Sequence, residues 1–324
     1  MTVTIHWLVT TPRLPAGMLT LQAWDALRAS ESVYAAPGNP QLGAVRAAGI
    51  DVTELSVDDA LDTLLERGGL WLTTAEDDEP VAKQLSVKLA ADPSLATVEI
   101  TFGSWDPPGA RLLDLVAVID RLRSPGGCPW DREQTHESLA PFLLEEAYET
   151  IDAIHSGDLD HLREELGDLL MQPLLHARLA AEDEDGFTID DVVADVVEKL
   201  VRRHPHVFAD ARVDSIADLN DTWDALKRAE KPHRKFAVDG VALSQPALSL
   251  AAKLLSRTSR ENLDVPLPET AADPASSEAA LGAALLGLVA AARAAGLDPE
   301  LALRKAALDF ADRSRAVESG NKSG

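Results

Sequence analysis

A change of pattern after residue 103 constrains the fold more than any other feature of this sequence. Before it, short runs rich in β-branched and aromatic residues alternate with helical stretches, a pattern typical of a sheet covered by helices. The strand candidates are VTIHWLV, the end of LTLQAWDALRASESVYA, IDVTELS, GLWLTTA and ATVEITF. The segment SWDPPG (Ser104–Gly109) interrupts this alternation, and the residues after it have helical periodicity. The chain is therefore predicted to be mainly α-helical, with a small α/β domain at its start.

Composition excludes several classes of partner. The 324 residues include 30 Lys and Arg against 54 Asp and Glu, which gives a formal net charge of −24. Such a charge disfavours binding to nucleic acid polymers or to anionic membranes. No stretch of the sequence approaches the length of an apolar membrane span. The single cysteine, Cys128, excludes an intramolecular disulfide, and the first residues lack a signal-peptide pattern, so a cytoplasmic location is expected.

The segment Leu143–Leu170, LLEEAYETIDAIHSGDLDHLREELGDLL, concentrates negative charge on two predicted helices. At 3.6 residues per turn, one side of the first helix carries Glu145, Glu146, Glu149 and Asp152. The second helix carries Glu164, Glu165 and Asp168 close together. The connection around Gly157 is short, so the helices are predicted to pack antiparallel, which would let their carboxylates converge.

Periodicity alone leaves two interpretations of these acidic residues open. Helices of an acidic protein commonly present a solvated acidic face to water. Alternatively, converging carboxylates repel each other until a cation binds between them. A set of ligands that are all carboxylates favours a hard cation, Mg²⁺ or Mn²⁺, over zinc, and Mg²⁺ commonly binds substrate phosphates as well.

Two motifs downstream carry groups suited to a nucleotide. In EKLVRRHPHVF, Lys199 and Arg203 share a helix face and suit phosphate oxygens, although cations also favour the C-terminus of any helix. In WDALK, Trp223 can stack on a base while Lys227 reaches a phosphate. The alternative for this second motif is a tryptophan that anchors a helix beside an extended lysine.

An internal repeat gives the acidic residues further meaning. LGDLLMQPLLHAR (Leu166–Arg178) aligns with LGAALLGLVAAAR (Leu281–Arg293), which indicates a duplicated helical unit. The second copy keeps the apolar residues, and its Arg313 matches Arg203, but it has Ala280 for Glu165, Ala283 for Asp168 and Asp309 for Lys199. The repeated fold does not need the acids, which favours a metal-binding role for them.

Together, GCPWDREQT, LEEAYETIDAI, LREELGDLL, EKLVRRHPHVF and the Trp223–Lys227 pair resemble the MazG family of nucleoside triphosphate pyrophosphohydrolases over about residues 110–235. The resemblance implies an all-α fold of paired helices that dimerises. It implies that Mg²⁺, with Mn²⁺ as a substitute, binds at Glu146, Glu149, Glu165 and Asp168. It also implies that the nucleotide is contacted by Lys199, Arg203, Trp223 and Lys227.

The implied reaction is the Mg²⁺-dependent hydrolysis of (deoxy)nucleoside triphosphates to monophosphate and pyrophosphate, as house-cleaning of non-canonical or surplus nucleotides. Either Glu145 or Glu146 would orient or deprotonate the attacking water, and the sequence does not choose between them. The alternative function is a non-catalytic protein that senses nucleotides.

The flanking regions complete a predicted organisation in three domains. Residues 1–105, through LTLQAWDALRASESVY, weakly resemble a truncated tetrapyrrole methylase; TTPRLPAG replaces the expected loop rich in glycine and proline, so a degenerate scaffold is predicted. Residues 106–235 form the predicted catalytic helical domain. Residues 236–324 form a degenerate second unit with a disordered tail, which is expected to bind no metal and to serve packing or dimerisation.

Overall fold

The computed structural model describes residues 2–75, 79–209, 230 and 235–321. The chain forms two compact units, Met1–Val196 and Val197–Gly324. The first unit contains a small parallel sheet followed by helices, and the described part of the second unit is helical. The predicted architecture, mainly helical with an α/β start, is confirmed. The predicted domain boundaries near residues 105 and 235 stay predictions.

Five parallel strands form the sheet in the order β3-β2-β4-β1-β5. The strands are β1 (Val3–Thr10), β2 (Val33–Ala35), β3 (Val52–Glu54), β4 (Gly69–Thr74) and β5 (Ala96–Phe102). The helices between them are α1 (Leu21–Ala29), α2 (Leu42–Ala47), α3 (Val57–Arg67) and α4 (Glu79–Ala91). All five strand candidates are therefore confirmed.

The central strands of the sheet are buried on both faces, whereas the edge strands β3 and β5 are largely exposed. Trp7 and Trp71 lie in one apolar core with residues of α3 and α4, whereas Leu8 and Leu72 lie in another with residues of α1 and α2. Successive strand residues point to opposite faces, so a central strand needs apolar side chains on both sides. This requirement explains the nearly continuous apolar run GLWL in β4.

The linker after β5 is fixed to the loop after β1 by Arg13. Its side chain is only 4% exposed and forms ion pairs of 2.5 Å with both Asp106 and Asp114. The backbone N–H of Thr11 donates to Ser104 Oγ at 3.0 Å. These contacts hold the loop TTPRLPAG against the linker and against the first helix that follows it.

The helices that follow the sheet are α5 (Arg111–Arg123), α6 (Pro129–Glu133), α7 (His136–Ser156), α8 (Leu159–Ala180), α9 (Ile189–Arg203) and α10 (Pro205–Phe208). Thr135 caps α7 and exchanges hydrogen bonds with Ser138, as a capping box does. Gly157 ends α7 with φ 74°, a conformation that favours glycine, and the Asp158 side chain then caps α8. Helix α8 continues through Pro173 to Ala180.

A small apolar core joins α5, α7 and α8. It contains Ile119, Leu139, Leu174 and Leu175, all nearly inaccessible to solvent. Arg123, with a side chain only 3% exposed, closes one end of this core through an ion pair of 3.0 Å with Glu182. These contacts fix α8 against its neighbours, so the groups on its other faces are held in place.

The described helices of the remaining part are α11 (Ala247–Arg260), α12 (Glu278–Ala294) and α13 (Pro299–Asn321), with a 3-10 turn at Pro274–Ser276. Within the described residues, no single helix is long and apolar enough to cross a membrane. Helices α12 and α13 meet the length and composition criteria only as a pair bent by 108°.

Candidate metal centre

Three carboxylates meet between α7 and α8. Glu146 comes from α7, and Glu165 and Asp168 come from α8. One oxygen of each can be chosen so that the three atoms all lie within 4.8 Å of one another. The tight turn at Gly157 makes the two helices antiparallel, and the spacing of three residues places both acids of α8 on one face. The predicted convergence of acids from the two helices is therefore present.

The hairpin departs from an ordinary amphipathic helix in two ways: apolar residues of its outer side are exposed, and one of its acids is buried. Glu165 is only 9% exposed, whereas Leu144 is 56% exposed, Ile154 is 57% exposed and Leu166 is 49% exposed. The acidic and apolar groups lie on opposite sides, as periodicity predicted. On the acidic side Glu165 is buried and Glu146 and Asp168 are half-buried, whereas the remaining acids are exposed: Glu145, Glu149, Asp152 and Glu164. A solvated acidic face is the wrong interpretation for Glu165.

The electrostatics of the cluster are unfavourable without a cation. Burial raises the pKa of Glu146, and repulsion from Asp168, Glu149, Glu165 and Glu145 raises it further. His161 Nε2 lies 3.0 Å from Glu165 Oε1. Among the described residues, no lysine or arginine forms an ion pair with the three converging carboxylates. A set of only carboxylate oxygens suits a hard divalent cation, so these residues fit Mg²⁺ or Mn²⁺.

Two other acids of α7 lie at the edge of this cluster. Glu145 and Glu149 are exposed and are not among the three converging carboxylates, although their charges contribute to the raised pKa of Glu146. The metal role of Glu149 and the choice between Glu145 and Glu146 as the group that activates water stay predictions.

Of the four residues predicted to contact the nucleotide, the structure describes Lys199 and Arg203, which belong to the second unit. Lys199 is half-buried in α9. The Arg203 guanidinium forms a paired contact with the Glu230 carboxylate, and the Arg203 side chain is 21% exposed. Arg203, followed by Arg202, lowers the pKa of Glu230 to about 2. Trp223 and Lys227 fall outside the described residues, so their predicted roles stay predictions.

Sequence reasoning missed Glu230 because it is 27 residues from Arg203, and no local pattern links them. It also missed Gln172, which is 2% exposed in α8, and a contact between two histidines. Nδ1 of His136 lies 2.8 Å from Nδ1 of His176. A signal for these residues was present, since Asp168, Gln172 and His176 are spaced four residues apart along α8 and share one face.

Comparison with known proteins identifies a family whose domain spans the helices that carry this site. The family model of the MazG nucleotide pyrophosphohydrolase domain matches residues 134–208, which include α7, α8 and α9. A 26.1 kDa uncharacterised protein of Streptomyces cacaoi is 44% identical over 250 residues, covering 76% of this chain and 99% of its own length.

Several relatives carry functional names. The nucleoside triphosphate pyrophosphohydrolase/pyrophosphatase MazG of Thermotoga maritima is 40% identical, over 65% of this chain and 86% of its own. The nucleoside triphosphate pyrophosphohydrolase of Escherichia coli K12 is 38% identical, over 63% of this chain and 86% of its own.

The fold and the site define a helical protein whose paired helices present a carboxylate cluster suited to a hard divalent cation. Within that class, the chain belongs to the MazG family of nucleoside triphosphate pyrophosphohydrolases, which are hydrolases that act on phosphoric anhydrides.

Proposed function

We propose that this protein hydrolyses (deoxy)nucleoside triphosphates to the monophosphate and pyrophosphate. The observation that carries the proposal is the convergence of Glu146, Glu165 and Asp168 between α7 and α8, with their oxygens within 4.8 Å of one another. The names of the Thermotoga maritima and Escherichia coli relatives support the same reaction.

The residues that would hold Mg²⁺ are Glu146, Glu165 and Asp168, with Glu149 as the predicted fourth ligand and Mn²⁺ as a substitute ion. When bound, the metal supplies Lewis-acid polarisation of phosphoryl oxygens and lowers the pKa of bound water. In the protein without metal, burial of Glu165 among like charges is unfavourable. The chain therefore gives up some stability to keep these carboxylates ready for a cation.

The chain's own groups have separate tasks in the reaction. Attack of water at the α-phosphorus forms one P–O bond and breaks the bond to the oxygen that bridges the α- and β-phosphates. Glu145 or Glu146 orients the water and accepts its proton. Lys199, Arg203 and Lys227 stabilise charge on the phosphates, and Trp223 provides a stacking surface for the base. Arg203 reaches a phosphate by sharing or exchanging its contact with Glu230.

Product analysis tests the reaction directly. The protein is incubated with Mg²⁺ and a panel of standard and damaged ribo- and deoxyribonucleoside triphosphates, and pyrophosphate and orthophosphate are measured separately. We expect monophosphate with pyrophosphate, and faster turnover of non-canonical or surplus nucleotides if the role is house-cleaning. Orthophosphate with diphosphate, or nucleotide binding without turnover, would contradict the proposal, and the second outcome would favour a sensing protein.

A second copy of this chain is the proposed cover for the outer face of the hairpin. Leu144, Ile154, Leu166 and Leu170 are between 42% and 57% exposed, and several large exposed apolar side chains on one hairpin are typical of an interface. Sedimentation equilibrium should give a homodimer, and Leu166→Glu should shift the protein towards monomer. A wild-type monomer at micromolar concentration would contradict this proposal.

We further propose that residues 1–105 are a scaffold without a methyl-transfer site. The loop after β1, where such a cofactor site is expected, is occupied by the Arg13 contacts to Asp106 and Asp114. Residues 236–324 are proposed to serve packing or dimerisation. Calorimetry with S-adenosylmethionine should show no binding, and a measurable Kd would contradict the scaffold proposal. A cytoplasmic location and the absence of nucleic acid polymers among its partners complete the proposal.

A further inference from the structure

Helix α8 carries a row of polar side chains that runs away from the metal cluster. Glu165, Asp168, Gln172 and His176 follow each other at spacings of three, four and four residues, so they share one face of the helix. Two of them are not engaged by the cluster. Gln172 is 2% exposed, and neither its Oε1 nor the buried Nε2 of His176 has a hydrogen-bond partner among the described residues.

The contact between the two histidines determines which atoms carry protons. The His136 and His176 rings are parallel within 3°, their centroids are 5.1 Å apart, and Nδ1 faces Nδ1 at 2.8 Å. One Nδ1 must donate a hydrogen and the other must accept it. If the exposed His136 donates, the neutral ring of His176 carries its hydrogen on Nε2. The unpartnered Nε2 of His176 is then a donor, and the unpartnered Oε1 of Gln172 is an acceptor.

The direction of the hydrogen bonds along this row is set by Asp168 at its other end. The Asp168 side chain carries a carboxylate, which can only accept hydrogen bonds when it is ionised. The terminal torsion of a glutamine side chain is soft, so the Gln172 amide can turn to meet both neighbours. Once Oε1 has turned to accept from His176 Nε2–H, the Gln172 Nε2 is free to donate to Asp168; in the structure itself Gln172 Oε1 and His176 Nε2 are both unpartnered within the described part of the chain. With the opposite histidine tautomer, Gln172 Oε1 would face the Asp168 carboxylate, and two acceptors cannot form a hydrogen bond. Only the tautomer with the hydrogen on His176 Nε2 therefore allows hydrogen bonds along the whole row.

We propose that Gln172 is a positioning residue for Asp168, oriented in turn by the His136–His176 pair. This inference rests on the proposed function, because it concerns the orientation of a carboxylate in the proposed metal centre. Groups that hydrogen-bond to a metal ligand fix its orientation, and their loss typically weakens metal affinity or activity by about 10- to 100-fold. Gln172 thus contributes to cation binding without touching the cation.

The second hairpin provides an internal comparison for this role. In the alignment of Leu166–Arg178 with Leu281–Arg293, Gln172 corresponds to Gly287 and His176 to Ala291. The two residues are therefore replaced together with Glu165 and Asp168, whereas the apolar positions remain apolar. A residue needed only for packing of the hairpin has no reason to disappear together with the carboxylates.

Binding of Mn²⁺, measured by calorimetry without nucleotide, tests the role of Gln172. Gln172→Met keeps the volume and removes both hydrogen-bonding groups. We expect its Kd for Mn²⁺ to rise about 10- to 100-fold, with the unfolding midpoint of the metal-free protein unchanged or higher. A Kd within twofold of wild type would overturn the proposal.

Paired substitutions of His176 keep the test decisive if Gln172→Met does not fold. His176→Gln retains a side-chain donor for Gln172, whereas His176→Leu does not. We expect His176→Gln to keep most of the Mn²⁺ affinity and His176→Leu to lose about tenfold; equal affinities in the two variants would overturn the proposal. Absence of Mn²⁺ binding by the wild type would instead contradict the metal centre itself. Nucleotide turnover by the wild type is measured separately, because it tests the proposed function.

Discussion

The hairpin of α7 and α8 and the hairpin of α11 and α12 share a similar apolar pattern but differ in their acidic residues. Leu174 is 6% exposed in α8, and its counterpart Val289 is 1% exposed in α12. Where α8 has a buried Glu165 and a half-buried Asp168, α12 has Ala280 and Ala283. A repeated helix pair can therefore keep its core without the acids.

The acids are a cost to the fold of the first hairpin. Burial and four neighbouring carboxylates raise the pKa of Glu146, which means that its ionised form is disfavoured in the folded protein without metal. The second hairpin avoids this cost by placing alanines on the equivalent face. We propose that a binding function separates the two hairpins, and substitutions that exchange their residues test that proposal.

The largest effect is expected when the first hairpin is made to resemble the second. Asp168→Ala should reduce kcat/KM for nucleotide hydrolysis by about 1,000-fold, comparable to the loss of one group that stabilises transition-state charge. Its unfolding midpoint without metal should stay equal or rise, because a repelling carboxylate is removed.

The control for that experiment is Glu164→Gln, which neutralises an exposed acid of α8 outside the converging group. It should keep activity close to that of wild type. If both variants lose activity equally, the loss reflects the overall charge of the hairpin rather than the metal centre.

The reverse exchange should destabilise the second hairpin without giving it a metal site. Ala283 is 9% exposed, so Ala283→Asp buries a carboxylate with no acids from a preceding E-E-x-x-E helix to share a cation. We expect denaturant unfolding to show a loss of about 3 kcal/mol, with no stabilisation by added Mn²⁺.

Gly282→Asp places the same charge at the exposed neighbouring position and serves as its control. That variant should stay within about 1 kcal/mol of wild type. Rescue of Ala283→Asp by Mn²⁺ would show that the second hairpin has kept a metal site, contrary to expectation.

A smaller effect is expected at the cationic groups. Arg203→Met should raise KM about 10- to 100-fold, the range for loss of one charge-assisted hydrogen bond to a phosphate. Arg202→Met is the matched control, because Arg202 also pairs with Glu230 but is not predicted to contact nucleotide. Equal changes in KM for the two variants would assign Arg203 to the ion pair alone.

The smallest effect concerns pH and His176. Burial lowers the pKa of His176 from 6.5, and repulsion from His136 lowers it further. Below pH 6.5 the unfolded chain therefore takes up this proton more readily than the folded chain. The free energy of unfolding contributed by His176 is present above pH 6.5 and is lost as the pH falls towards its folded-state pKa.

Thermal unfolding at pH 7.5 and pH 5.5 tests this linkage. His176→Leu should reduce the difference in Tm between the two pH values by about 1–2 °C. His155→Leu, at an exposed histidine of the same hairpin, should leave that difference unchanged. If the difference in Tm between the two pH values were larger in His176→Leu than in wild type, the pH effect of His176 would have the opposite sign, which would contradict the prediction.

Local signals in the sequence were sufficient to predict the strands and helices and the acidic residues that lie on one side of α7 and α8. The run GLWL predicted a buried strand, Gly157 predicted a turn between helices, and the spacing of Glu165 and Asp168 predicted a shared face. Each of these follows from neighbours within a few residues, where backbone geometry and helical periodicity dominate. The contacts of Arg203 with Glu230 and of His136 with His176 could not be predicted, because each joins residues 27 or more apart.

The sequence by itself determined which residues are acidic, which helices carry them, and that acids and leucines lie on opposite sides. Only the tertiary structure decided that Glu165 is buried while other acids of the two helices stay exposed. Periodicity fixes the angle between two sets of side chains on a helix, but it does not fix how the helix is rotated against its neighbours. Packing of α5 and α8 around Leu174 and Leu175 sets that rotation, and it buries Glu165 while it leaves Leu166 exposed.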